Sequence, residues 1–201
     1  MPWRRRVVTK GDAMTPAQEK CWLAHWRSAV AALYHAVRTA PEHCAAASAA
    51  RFRTERDALF RSHPSTPLAE GAQRAFQGLS YYGYRAHWRV VGRIEPDPAG
   101  TALEIALGED GVLRAHSIGR VRFSVCGQAA ALTLYWIDGY GGGLWLPFGD
   151  ATNGEETYGG GRYLYDTIKG ADLGVDGTRI NLDFNYAYNL HALTTRAGFA
   201  H

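Results

Sequence analysis

The chain has 201 residues, 46% of them hydrophobic, 12% aromatic and 20% charged, with a formal net charge of +3. That is enough chain to enclose one core, and no apolar run nears the ~18 residues of a membrane-spanning helix, so no membrane partner is expected. Cys21, Cys44 and Cys126 form no CxxC pair, which suggests neither a disulfide framework nor a zinc site and fits reduced thiols in the cytoplasm.

Residues 1–14 read as a flexible leader; Arg4, Arg5 and Arg6 are not followed by the apolar stretch of a secretory signal. Thr15 then serves as N-cap with Pro16 at the first helical position. Trp22, Trp26, Ala29, Leu33 and Val37 follow at spacings of four, three, four and four. They make one apolar face of a helix from about Pro16 to Arg38, which Pro41 ends. A second, alanine-rich helix is expected over roughly Ala45 to Ser62, stopped by His63-Pro64-Ser65-Thr66-Pro67. A further short helical turn is expected between Pro67 and Phe76.

Charge is uneven along the chain. Residues 1–90 hold 14 Lys and Arg against 6 Asp and Glu, whereas residues 91–201 hold 8 against 13. A basic front half suits nucleic acid or an anionic surface. The simpler reading places Arg51, Arg53, Arg56 and Arg61 on the wet face of the second helix, with Glu55 and Asp57 among them. Nucleic acid is therefore not the expected partner.

After Gly78 the texture changes to β-formers, beginning with Tyr81, Tyr82, Tyr84, Trp88, Val90 and Val91. Pro96 to Gly100 mark a turn. Strands are expected at Leu103–Leu107, Val112–His116, Gly119–Cys126, Ala131–Ile137 and Leu144–Phe148, each bounded by turn residues. Val121, Phe123 and Val125 alternate with Arg122, Ser124 and Cys126, as in a half-buried strand. Five to seven such strands predict a mainly β, α+β fold: an antiparallel meander closed into a barrel or sandwich behind N-terminal helices. One domain covers residues 15–201, helical over 15–77 and β over 78–189, with a tail at 190–201.

The stretch from Pro147 to Asn189 concentrates chemistry. Gly159-Gly160-Gly161 gives the backbone access to positive φ and to close approach. Asp150, Thr152, Asn153 and Glu155 supply oxygen acceptors within a short span, and Arg162 offers a planar five-donor fork for carboxylate or phosphate. Asp183 and Asn185 share one face of an expected strand. Asp150, Glu155 and Asp183 could form a hard-oxygen metal site, but the regular acidic spacing of an EF-hand is missing, so no metal is assigned. The three glycines match neither the P-loop nor the dinucleotide fingerprint; no cofactor is expected. Ser117 beside His116, Ser124 and Cys126 lie in no nucleophile elbow. Acid/base work by Asp150, Glu155 or Asp183 needs only two carboxyls in different environments. A purely structural alternative has Arg162 paired with Asp183 or Asp150 inside the fold, holding two loops together without a ligand.

Leu146-Pro147-Phe148, Glu156-Thr157-Tyr158-Gly159-Gly160-Gly161-Arg162-Tyr163-Leu164, Leu182-Asp183-Phe184-Asn185 and Ala187-Tyr188-Asn189 closely resemble the bacterial and archaeal family known as domain of unknown function 1684. Arg56-Asp57 with Phe60, Ser65 to Leu68, Phe76 with Gly78-Leu79, and Gly119 with Phe123 and Gly127 fit the same pattern. The resemblance spans about Phe52 to Asn189. It does not explain the helix before Ala45, and the tail after Asn189 departs from it, as a truncated or frame-shifted end would. An unpaired sheet edge left there would favour a homodimer.

These residues lead to the expectation of a small-molecule-binding β domain. Asp150, Glu155 and Asp183 are its catalytic candidates, and Thr152, Thr157, Tyr158, Arg162, Asn185, Tyr188 and Asn189 its ligand contacts. Arg162 would hold a small anionic ligand, and Tyr158 and Tyr188 would wall the pocket. No reaction follows from the pattern. The rival expectation is a structural or partner-binding domain in which the motif only stabilises the fold.

Overall fold

The computed structural model describes residues 14–106 and 111–189; the divergent tail and nearly all of the leader lie outside that range. Helix α1 runs Pro16–Thr39, and Thr15 and Gln18 close a capping box at its start, each side chain bonded to the other's backbone N–H (3.3 and 2.8 Å). Helix α2 spans Ala45–Ser62 and α3 Glu70–Ala75. The apolar face of α1 packs on α2 and on the sheet, with Leu33 and Tyr34 fully covered.

Nine strands follow among the described residues: β1 Arg89–Pro96, β2 Ala102–Ala106, β3 Val112–Val125, β4 Gln128–Ile137, β5 Gly143–Phe148, β6 Arg162–Asp166, β7 Val175–Asp176, β8 Arg179–Asp183 and β9 Tyr188–Asn189. They form one antiparallel sheet in the order β7-β8-β1-β3-β4-β5-β6-β9, with β2 added beside β3. The sheet curls into a half-barrel, and the helices cover its concave side. Val121, Leu134, Leu146, Leu164, Ile180 and Leu182 point into that concavity and are wholly buried against Leu33, Tyr34, Ala49 and Phe52. A smaller apolar cluster of Ala115, Ile137 and Trp145 packs under the β2 end of the sheet.

Three details differ from the sequence expectation. The two strands expected at Val112–His116 and Gly119–Cys126 are one 14-residue strand, interrupted by a bulge between Ser117 and Gly119. The Tyr81–Tyr84 run is not a strand: its rings anchor individually, Tyr81 over the Arg53 guanidinium and Tyr82 on Glu156, while its backbone joins no ladder. Asp183 and Asn185 do not share a strand face, because β8 ends at Asp183 and Phe184–Tyr186 turn as a 3-10 helix.

Curvature has a local cause at Gly92. A Cβ there would lie 2.4 Å from a Val121 methyl and 3.2 Å from an Ile180 methyl. The missing side chain lets β3 and β8 fold inward across β1.

Candidate functional site

The loop between β5 and β6 is a nest of self-satisfied turns. Asp150 Oδ1 accepts from the Thr152 backbone N–H (2.9 Å) and from its hydroxyl (2.5 Å), and the Thr152 carbonyl accepts from Glu155, Glu156 and Thr157 (3.2, 3.0 and 2.9 Å). The Thr152 and Thr157 hydroxyls are 3.0 Å apart. Of the three consecutive glycines only Gly161 has positive φ, at 89°, and a Cβ there would stand 2.7 Å from the Phe148 carbonyl oxygen. That position requires glycine, and it delivers the next residue, Arg162, into the interior.

Arg162 is 7% exposed. Its guanidinium donates to Asp150 Oδ2 and toward Thr152 Oγ1 (3.4 Å), and lies 5.1 Å above the Phe148 ring. The carboxylate it meets is Asp150, not Asp183. Partial burial alone would push the Asp150 carboxyl up, but hydrogen bonds from Thr152 and the Arg162 charge hold it below the usual carboxylate range. Glu155 is exposed at the loop surface, and the Tyr158 ring lies against Gly160. Asn189, also exposed, sits opposite Arg162 in the β6–β9 ladder.

Asp183 and Asn185 form a second cluster. The Asp183 Oδ1 accepts from the Asn185 backbone and side chain (3.0 and 2.7 Å). Asn185 in turn clasps Arg85, accepting from its N–H at 2.8 Å and donating to its carbonyl at 2.9 Å. Burial raises the Asp183 carboxyl, against the opposing effect of the Asn185 hydrogen bonds. The crevice beside Asp183, lined also by Arg89, Asn181 and Tyr186, holds only about 30 Å³, room on the scale of one water. A Phe148–Phe184 contact at 5.2 Å joins this cluster to the Arg162 loop. Among the described residues no group of three or more His, Cys, Asp or Glu is placed to hold a metal ion.

The remaining expected contact, Tyr188, belongs elsewhere. It lines a cleft of about 270 Å³ between the helices and the β6–β9 end of the sheet, and none of the other expected site residues lines it. From α1 come Leu23, Trp26, Val30 and Tyr34; from α2, Phe52, Arg56, Leu59 and Phe60; from the sheet side, Lys169 and Ala171. Arg27 and Ser65 also line it, so the walls are mostly apolar, with polar groups at Arg27, Tyr34, Arg56, Ser65 and Lys169. Tyr34 is 1% exposed and its hydroxyl has no hydrogen-bond partner among the described residues. The Arg56 guanidinium stacks near Phe52, Phe60 and Tyr188, at 5.9, 5.7 and 4.9 Å from their ring centres.

Arg56 and Arg53 therefore do not sit on a wet helix face; both turn toward the sheet, Arg53 reaching the Asn185 carbonyl at 3.4 Å. A sequence signal for Arg56 existed. Phe52, Arg56 and Phe60 are spaced by four, so they share one stripe of α2 with two core aromatics.

Residues 74–196 match the family model described as "Protein of unknown function (DUF1684)". The matched span begins after the Arg56–Leu68 segment and extends past Asn189 into the tail. A solved structure, the solution NMR structure of an uncharacterized protein from Haloarcula marismortui, is similar with 28% identity and a TM-score of 0.51. The similarity covers 72% of this chain and 78% of that one. Comparison with curated proteins gives no match.

Proposed function

This chain belongs to the DUF1684 family, and we propose that it is a small-molecule-binding protein whose ligand occupies the cleft between α1, α2 and the β6–β9 end of the sheet. The observation that carries the proposal is the lining of the cleft, mostly apolar and aromatic side chains with a few polar and cationic groups among them. That is the usual make-up of a ligand pocket. Its volume, about 270 Å³, is just under the ~300–1,000 Å³ of drug-sized sites and suits a small molecule. In this reading the Asp150–Arg162 network fixes β6, the strand that pairs with β9, and the Asp183–Asn185 turn fixes the chain just before β9, and with them the Tyr188 wall. The reading stops at binding and includes no reaction.

One observation favours a second reading for the motif itself. The Arg162 side chain is 9% exposed and its charge is met by Asp150, so the motif has a sufficient role in holding the β5–β6 loop, whether or not the cleft binds anything.

The test is ligand mapping on the intact chain by heteronuclear NMR, using a set of small apolar, anionic and cationic probes. Shifts centred on Trp26, Leu59 and Tyr188, abolished when Leu59→Trp fills the cleft, support the proposal. Shifts confined to other surfaces, or none, refute it.

A further inference from the structure

We infer that the ligand of this cleft is a small amphipathic monoanion, an aliphatic or aromatic carboxylate, whose carboxylate pairs with Arg56 and whose apolar body lies along α1 and Phe60. The inference rests on the cleft being the binding site and adds the chemistry of its occupant.

The first support is Arg56 itself. Arg56 is half-buried among aromatic rings, and a cation drawn partly out of water gains from a carboxylate partner, yet among the described residues no carboxylate lies within ion-pair reach of it. The acids nearest to it are engaged elsewhere. Asp57, its chain neighbour, turns away to accept from the Leu79 N–H at 3.1 Å and faces the Tyr81 hydroxyl. Glu55 pairs with Arg51 at 2.6 Å. Asp166, buried behind the cleft, pairs with Lys169 at 3.4 Å and caps the 3-10 turn that follows β6. Aromatic rings hold the Arg56 guanidinium in place, so the fork is positioned before an anion arrives.

A second, independent observation comes from the phenols. The hydroxyl of Tyr34, a residue of the cleft lining, is buried without a partner among the described residues, and so, outside the lining, is that of Tyr163, whose ring packs 4.2 Å from that of Tyr188. Burial raises both phenols far above their ordinary range, so they remain O–H donors across the whole physiological pH span. A buried hydroxyl without a partner is costly, and an incoming carboxylate oxygen supplies the acceptor Tyr34 lacks.

The form of the cation selects the class. Of the three cationic residues that line the cleft, Lys169 pairs with Asp166 and Arg27 is exposed on α1; Arg56, held among the rings, is planar and matches a carboxylate edge to edge. A phosphate dianion would bring a second negative charge toward Asp166 with no glycine-rich amide cradle to receive it. The apolar part of the lining selects the rest: Leu23, Trp26, Val30 and Leu59 offer no polar atom to a ligand body apart from the Trp26 indole N–H, and Arg27 and Ser65 are the further polar residues beside them.

The experiment is calorimetric titration of the full chain with octanoate, 3-phenylpropanoate, octan-1-ol and octylamine, repeated on Arg56→Met and Tyr34→Phe. The expected result is octanoate binding at least tenfold tighter than octan-1-ol, with Arg56→Met removing that preference and Tyr34→Phe reducing octanoate affinity several-fold. Octanoate affinity should also fall with added salt while that of octan-1-ol does not, a readout on the unaltered chain that stands even if Arg56→Met fails to fold. Equal binding of the alcohol, or preference for the amine, overturns the carboxylate assignment and leaves the cleft as a binding site. Failure of all four probes overturns both.

Discussion

Asp150→Asn isolates what the Arg162 network contributes. Asparagine keeps an oxygen that can accept from the Thr152 N–H and hydroxyl, so the loop geometry is preserved while the charge facing Arg162 disappears. The Arg162 side chain is 9% exposed and its Nε has no partner among the described residues, so little water can replace the lost carboxylate. Breaking a fully buried ion pair by removing one member costs roughly 3–5 kcal/mol. The Asp150 side chain is 32% exposed, which lets solvent screen part of that, so about 1–3 kcal/mol is expected here. For a chain of this size each kcal/mol moves the melting temperature by about 2–4 °C. The predicted loss is thus roughly 2–12 °C. Thermal unfolding by circular dichroism at pH 7 measures it, and Arg162→Met combined with Asp150→Asn should cost less than the two single losses added together. An Asp150→Asn melt within a degree of wild type would refute the idea that Arg162 depends on this partner. The acid limb gives the same test without a mutation. The Asp150 carboxyl is held below its ordinary value, so its contribution is complete above the unfolded pKa near ~4 and is lost as pH falls through the folded one.

Other perturbations have defined signs. Asp183 titrates in the opposite sense: burial raises its carboxyl, so its contribution is present below the unfolded pKa and lost as pH rises through the folded value. Asp183→Asn, which retains an acceptor for Asn185, should leave urea stability at pH 7 unchanged or higher, and a loss above about 2 kcal/mol would contradict this. His63 is buried, accepts from the Ser65 N–H at Nδ1 (3.0 Å) and so carries its proton at Nε2, facing His25 Nδ1 at 2.9 Å. Burial, then the His25 charge, lowers its pKa. Its contribution is therefore full above the unfolded value near ~6.5 and is lost as pH falls through the folded one. The melting temperature should drop between pH 7.5 and pH 5, and His63→Ala should flatten the drop; a slope that survives the substitution argues against it. Gly92→Ala forces a methyl to within 2.4 Å of Val121 and should cost about 1–3 kcal/mol in chemical denaturation. An unaffected midpoint would mean that β1 can shift freely.

The helices were legible because their signals are local: Thr15-Pro16 starts α1, Pro41 follows its end, and the His63–Pro67 stretch stops α2. The strands from Leu103 to Phe148 were legible from alternation and turn residues. What escaped depended on partners far along the chain. Tyr81, Tyr82 and Tyr84 have strand propensity, but propensity does not supply a ladder; Tyr81 and Tyr82 found separate anchors and Tyr84 packs against the core instead. Strand β6 carries no alternation to read, since all five residues from Arg162 to Asp166 are buried. The motif residues were recognisable as a set, but the sequence could not say that Arg162 meets Asp150 while Asp183 serves Asn185. Arg56 was hidden for a related reason. A charge on a helix reads as solvated unless the element that covers it is known.

The placement of the cleft follows from how the sheet curls. Gly92 and the bulge between Ser117 and Gly119 bend β1 and β3 inward, and a second irregularity between Leu146 and Pro147 bends β5. A half-barrel made this way has a concave face that its own side chains cannot fill. Two helices cover it, and they meet the sheet closely where Tyr34 and Phe52 pack on Tyr186, with ring centres 6.5 and 4.9 Å away. Away from that contact, Tyr188 of β9 and residues of α1 and α2 line the cleft. Aromatic rings line that cleft and Arg56 projects into it. Arg38 meets Asp172 at 3.2 Å, Arg162 meets Asp150, and Arg53 rests on Tyr81 and the Asn185 carbonyl. Arg56 differs in lining the cleft with rings around it and no carboxylate or carbonyl partner among the described residues, which is the physical reason to test for a ligand at Arg56 rather than at the glycine-rich loop.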